Sequence, residues 1–214
     1  MNATLQKLEQ FGIVPVVVLD DAADAAPLAK ALCDGGLACA EVTFRTAAAE
    51  ESIRIMTTEY PDMVVGAGTV LTTDQVDRAI AAGAKFIVSP GLDPKIVTYC
   101  IEKKIPITPG VVTPSEIAKA IELRLDVVKF FPAAPSGGLA MIKAVAAPYN
   151  KLRFMPTGGI NAKNALPYLQ YDKIIACGGS WMVKSDLIKE GKFDEMTALT
   201  KEAVSLVRSA REVK

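Results

Sequence analysis

The side chains able to do chemistry here are narrowed first by one type that is missing. None of the 214 residues is histidine, which removes the usual general base, the usual activator of a nucleophile and the commonest metal ligand together. Bond-making and proton transfer therefore fall to Glu, Asp, Lys, Tyr or Cys. The sharpest candidate is Lys129, in the middle of the otherwise apolar run Asp126-Val-Val-Lys-Phe-Phe-Pro132. A lysine in such a run either snorkels outward or stays buried, and burial favours its neutral, nucleophilic amine.

Two further groups stand out. In Ala40-Glu41-Val42-Thr43-Phe44-Arg45, a two-residue alternation puts Glu41, Thr43 and Arg45 on one face and Val42 and Phe44 on the other. If the apolar pair packs against helices, Glu41 and Arg45 look inward; the plainer alternative is a surface ion pair at a strand end. The segments Leu152 to Ile160 and Lys173 to Ser180 each close on paired glycines, Gly158-Gly159 and Gly178-Gly179, the second pair followed by Ser180. A lone Gly-Gly is most often a tight turn. Two at successive strand ends, each followed by helix-compatible sequence, fit a phosphate cradle of backbone N–H groups and a helix N-terminus. Gly66-Ala67-Gly68-Thr69 adds a hydroxyl, with glycines that would let a ligand approach the backbone.

The elements that must position these residues read clearly. Short runs rich in β-branched residues recur at Ile13 to Leu19, Cys39 to Phe44, Met63 to Val70, Lys85 to Pro90, Ile105 to Gly110, Asp126 to Pro132, Leu152 to Gly158 and Lys173 to Gly178. Each is too short for a buried helix and nearly continuously hydrophobic, as parallel strands buried on both faces are. The intervening segments read as helices: 21–33, 47–60, 73–82, 94–103, 114–123, 138–146, 162–169 and 193–212. Asp21, Thr73, Asp93, Thr113 and Asn161 stand at N-cap positions, and Pro94 and Pro114 in first turns, where a missing N–H costs nothing. Eight strand-then-helix units without a linker predict one (β/α)8 TIM barrel, an α/β fold, as a single domain over 1–214. Its lower mouth is plugged by a helix from Thr4 to Phe11. An open doubly wound sheet is the runner-up, disfavoured because no G-x-G-x-x-G follows the first strand. Barrel sites lie at the C-terminal ends of strands; Lys85 and Lys173 begin their strands and Lys151 precedes one, so only Lys129 lies where a barrel enzyme would use a lysine.

Composition bounds the rest. With 24 basic against 24 acidic side chains, there is no electrostatic footprint for nucleic acid or anionic membrane. Cys33, Cys39, Cys100 and Cys177 lie far apart with no C-x-x-C, against a zinc ribbon, a redox motif or a disulfide framework. No signal peptide or membrane span is visible. A cytoplasmic protein without metal or other cofactor is expected.

A buried lysine, a carboxylate, a guanidinium suited to a planar anion and a phosphate cradle fit Schiff-base chemistry on a phosphorylated keto acid. The amine condenses with the ketone, the iminium withdraws electrons, and the adjacent carbon–carbon bond breaks to an enamine while the carboxylate shuttles protons. The same residues leave two alternatives. One is a phosphosugar isomerase or epimerase that abstracts a proton with Glu41 and uses Lys129 only as a charge. The other is a non-catalytic phosphosugar-binding module, against which the buried lysine speaks.

Taken in order, E-V-T-F-R at 41–45, G-A-G-T-V-L at 66–71, S-P-G at 89–91, V-K-F-F-P-A at 128–133, P-T-G-G-I at 156–160 and G-G-S-W at 178–181 closely resemble the 2-keto-3-deoxy-6-phosphogluconate (KDPG) aldolase family. The resemblance spans nearly the whole chain and implies a class I aldolase of the Entner-Doudoroff pathway. Such an enzyme splits 2-dehydro-3-deoxy-6-phospho-D-gluconate into pyruvate and D-glyceraldehyde 3-phosphate, and in many members also cleaves 4-hydroxy-2-oxoglutarate. By the same likeness, Lys129 matches the Schiff-base lysine and Glu41 the general acid/base. Arg45 and Thr69 match the carboxylate-binding pair, and Gly158, Gly159 and Ser180, with Gly179 beside them, the phosphate site. Phe131 and Thr157 match positions that bear on stereochemistry, and a cytoplasmic homotrimer is implied. Phe44 stands where Leu is expected. The related galactonate-type enzymes look like E-x-P-L-N and V-G-G, so Arg45 and Thr157 side with the gluconate type.

Overall fold

The computed structural model describes residues 1–212. Its eight strands are β1 (Ile13–Val17), β2 (Cys39–Thr43), β3 (Val64–Gly68), β4 (Ile87–Ser89), β5 (Ile107–Val111), β6 (Val127–Phe130), β7 (Arg153–Pro156) and β8 (Cys177–Gly179). They form one parallel sheet in the order β7-β6-β5-β4-β3-β2-β1-β8. The bridges Phe154↔Ile174 and Thr157↔Gly178 bring β7 to β8, so the sheet curls into the expected (β/α)8 barrel. All but one of the strand residues are buried through β2 to β7, because side chains facing outward meet helices and those facing inward meet each other. That double burial is why the runs read as continuously apolar.

The helices are α1 (Ala3–Phe11), α2 (Ala25–Asp34), α3 (Ala49–Glu59), α4 (Thr73–Ala81), α5 (Pro94–Glu102), α6 (Pro114–Glu122), α7 (Gly138–Ala146), α8 (Ala165–Leu169), α9 (Ser185–Lys189) and α10 (Phe193–Glu212). Asp93 caps α5, and Thr113 with Glu116 forms a capping box on α6. Three expectations shift. The cap of α4 is Thr72, whose side chain accepts from the Gln75 N–H, and not Thr73. Asp21 caps a single 3-10 turn, Ala22–Asp24, that leads into α2. Asn161 caps no helix: its Oδ1 accepts from the Lys163 N–H (2.9 Å) in a turn, and α8 starts later, at Ala165. The strands are shorter than the apolar runs, β4 and β8 by half, because hydrophobicity reports burial and extends beyond the ladder hydrogen bonds. The short α9 carried no apolar period long enough to be read.

Helix α1 buries Leu5 and Leu8 and is tied across the lower end of the barrel. The Met1 amino group pairs with Asp126 just before β6 (2.7 Å), and Glu9 pairs with Arg153 at the start of β7 (2.5 Å).

Inside the barrel, one aromatic ring sets what its neighbour must be. Phe86, immediately before β4, is fully buried, and a Cβ on Gly66 would fall 2.4 Å from its ring. Gly66 therefore serves packing and not, as expected, the approach of a ligand.

Candidate active site

Glu41 sits on β2 and Lys129 on β6, 88 residues apart in sequence. The alternation of β2 turns Glu41 and Thr43 inward, while Phe44 lies outside under the Arg78 guanidinium of α4, 5.7 Å from the ring centroid. Lys129 Nζ lies 3.3 Å from Glu41 Oε1, with side-chain exposures of 7% and 1%. The surface ion-pair alternative for Glu41 is thus excluded. Its other oxygen, Oε2, is buried with no hydrogen-bond partner among the described residues. Gly68 makes room for this carboxylate, since a Cβ there would lie 2.2 Å from Oε1. Above the amine lies Phe131, its ring centroid 5.0 Å from Nζ.

At the rim, the exposed Arg45 donates from Nε to Thr69 Oγ1 (3.3 Å). Thr69 adopts φ +55°, a left-handed conformation rare for a β-branched residue and of the order of 1–3 kcal/mol uphill. In that conformation the hydroxyl lies against the guanidinium, so residues 24 apart in sequence share one wall.

A cavity of about 470 Å³ opens at the C-terminal ends of β7 and β8, lined by Arg45, Phe131, Thr157, Gly158, Gly159 and Ser180 among others. Thr157 is buried, and its hydroxyl has no partner among the described residues. The two glycine pairs do different work. Gly158 and Gly159 have φ of +102° and +78°, which only glycine adopts easily. The Gly158 carbonyl accepts from Ala134 N–H and the Gly159 carbonyl from Asn164 Nδ2, both at 2.9 Å. Because a trans peptide points its N–H opposite to its C=O, the Gly159 and Ile160 N–H groups are turned away from those donors. Gly178 and Gly179 instead clear space: a Cβ would lie 2.2 Å from Thr157 Oγ1 on the first and 1.9 Å from the Trp181 ring on the second. The expected helix N-terminus is found after the second glycine pair only: α9 starts at Ser185, and Lys184, Ser185 and Asp186 at its start line the cavity, whereas α8 starts at Ala165, away from the lining residues.

The structure thus gathers Arg45, Phe131, Thr157, Gly158, Gly159, Gly179 and Ser180 around one cavity, joins Thr69 to it through Arg45, and sets Lys129 and Glu41 together in the barrel interior behind Phe131. Sequence reasoning missed Lys184, which also lines the cavity; its only signal was position, five residues past a glycine pair. It also passed over Thr108, a buried hydroxyl on β5 that was visible as the polar residue in I-T-P-G-V.

The sequence profile described as KDPG and KHG aldolase matches residues 4–199. The chain belongs to the KDPG and KHG aldolase family. It is 46% identical to the 2-dehydro-3-deoxy-phosphogluconate aldolase of Treponema pallidum over 97% of this chain and 99% of that one. Among solved structures, it resembles the KDPG aldolase of Legionella pneumophila with pyruvate captured as a covalent carbinolamine intermediate. That match has a TM-score of 0.90 and 36% identity over 93% and 97% of the two chains. The 2-keto-3-deoxy-6-phosphogluconate aldolase of Zymomonas mobilis with 3-phosphoglycerate superposes with a TM-score of 0.88 at 41% identity, covering 94% and 95%.

Proposed function

We propose that this KDPG aldolase family member is a class I aldolase that cleaves 2-dehydro-3-deoxy-6-phospho-D-gluconate to pyruvate and D-glyceraldehyde 3-phosphate through a Schiff base on Lys129. The buried Lys129–Glu41 pair behind an anion-lined cavity carries the reading. The carbinolamine of the Legionella relative supports it, as covalent chemistry of pyruvate in that protein. Lys129 Nζ attacks the C2 carbonyl, and Glu41 returns a proton to the departing hydroxyl, leaving an iminium. Glu41 then takes the proton of the C4 hydroxyl as the C3–C4 bond breaks, and its electron pair moves into the iminium as an enamine. Protonation at C3 gives the pyruvate iminium, which water hydrolyses. The unpartnered Glu41 Oε2 leaves the carboxylate a free oxygen for these transfers while Oε1 faces the amine. No metal ion or other cofactor enters this scheme.

Arg45, steadied by Thr69, would clamp the carboxylate in two-point geometry. Gly158, Gly159, Gly179 and Ser180 would hold the phosphate, and Phe131 and Thr157 would line the reacting carbons and bear on stereochemistry. Cleavage of 4-hydroxy-2-oxoglutarate to pyruvate and glyoxylate belongs to the same proposal, since it needs only the lysine, carboxylate and arginine. A cytoplasmic homotrimer is proposed on family resemblance, with the exposed Ile101 of α5 and Ile121 of α6 as apolar surface available to neighbours.

Borohydride reduction in the presence of pyruvate tests the mechanism. The expected result is a stable pyruvyl adduct mapping to Lys129 and absent from Lys129→Ala. An adduct on another lysine, or an equal yield in a folded mutant, would sink it.

A further inference from the structure

We infer that Lys184 is a specificity-determining residue that supplies the positive charge of the phosphate subsite, an inference that rests on the aldolase reading. The cradle itself carries no formal charge: Gly158, Gly159, Gly179 and Ser180 offer dipoles only. A phosphate monoester brings about −1.5 to −2 at neutral pH. The cavity is also lined by Asp186, whose carboxylate opposes an incoming anion. Arg45 is the other cation on the cavity wall and is engaged with Thr69. Lys184 is exposed, lines the cavity beside the glycines and Ser180, and makes no ion pair or side-chain hydrogen bond among the described residues. Its neighbours in sequence are already committed, Lys189 to Asp20 (3.0 Å) and Lys192 to Glu190 (2.6 Å).

The backbone holds Lys184 at this rim from both sides. Before it, the Val183 N–H donates to the Ser180 carbonyl (3.1 Å), closing a turn whose Met182 and Val183 are buried. After it, the Lys184 carbonyl accepts from the Ile188 N–H (3.2 Å) as α9 begins. The turn therefore couples Ser180, a residue of the cradle, to Lys184 through three anchored residues, leaving only the four-carbon stem free to swing its ammonium over the phosphate. The ammonium would offset Asp186 and distinguish phosphorylated from unphosphorylated aldehydes without touching the reacting carbons.

The test is the synthetic direction with pyruvate, comparing D-glyceraldehyde 3-phosphate with D-glyceraldehyde in wild type, Lys184→Met, Lys184→Glu and Lys184→Arg. Lys184→Met should raise KM for the phosphorylated aldehyde about three- to tenfold, the scale of one exposed pair with a doubly charged partner, with kcat unchanged. Lys184→Glu should raise it further and Lys184→Arg should preserve it. D-glyceraldehyde turnover should not move, and the salt dependence of KM should flatten in Lys184→Met. An unaltered KM in both Lys184→Met and Lys184→Glu, or equal losses on both aldehydes, would overturn the assignment. Those outcomes leave the aldolase reading standing if wild type still traps pyruvate. A wild type that traps no pyruvate would overturn both.

Discussion

At Lys129 and Glu41 the chain buries an amine and a carboxyl group 3.3 Å apart, a pairing that adds little to stability because desolvation offsets attraction. On the proposed mechanism its value is chemical: it keeps a nucleophile and a proton carrier in contact away from bulk water. Glu41→Gln preserves shape and hydrogen bonding but cannot accept a proton, so kcat should fall by about 10²-fold or more, the scale of general acid–base catalysis. Near-normal kcat in steady-state assays would route the proton elsewhere. On the same proposal the rim residues divide by the anion each would meet. Arg45→Ala should lower kcat/KM about 10- to 100-fold on both the phosphorylated substrate and 4-hydroxy-2-oxoglutarate, since a charged hydrogen bond is worth about 1.5–3 kcal/mol. Ser180→Leu should penalise the phosphorylated substrate alone. Equal losses in the serine variant would show that the cradle is misplaced.

At the scale of the element, strand spacing decides which glycines are indispensable. Gly68 ends β3 beside Glu41, and Gly110 lies on β5 with its missing Cβ 2.0 Å from the Pro90 carbonyl oxygen. The first neighbour is the end of a side chain, and the second is backbone, which has no room to move. Gly68→Ala should therefore fold, with a modest loss of Tm, but push the carboxylate off Lys129 and lower kcat. Gly110→Ala should lose several degrees of Tm or fail to accumulate as folded protein. Calorimetry and kcat on the two variants check this, and the opposite ranking would refute the packing argument.

Across the whole molecule, burial sorts the four free cysteines. Desolvation pushes the Cys100 thiol up to about 12 and those of Cys39 and Cys177 well above the ordinary range. Cys33 is only half-buried and raised by the same cause with help from Asp34. A thiol reagent on the native protein should thus label Cys33 first, faster as pH rises towards its raised value, because the thiolate is the reactive form. Peptide mapping checks the order. The other three should react only on unfolding, and labelling of Cys177 in the native state would contradict the closed barrel.

Much of this was readable in one dimension. Eight apolar runs, the N-caps Asp93 and Thr113, and the inward face of Glu41 and Thr43 follow from local rules of burial, capping and two-residue alternation. Those rules act between residues close in sequence, so the type and order of the elements other than α9 were determined there. Tertiary structure alone decided the pairing of Glu41 with Lys129, the hydrogen bond between Arg45 and Thr69, and the separate uses of the glycines. Gly66 yields to Phe86, Gly178 to Thr157 and Gly179 to Trp181, whereas Gly158 and Gly159 turn the chain. A glycine in sequence records only a missing side chain. What occupies the space it leaves is set by strands that meet across the barrel, through contacts that no local pattern encodes.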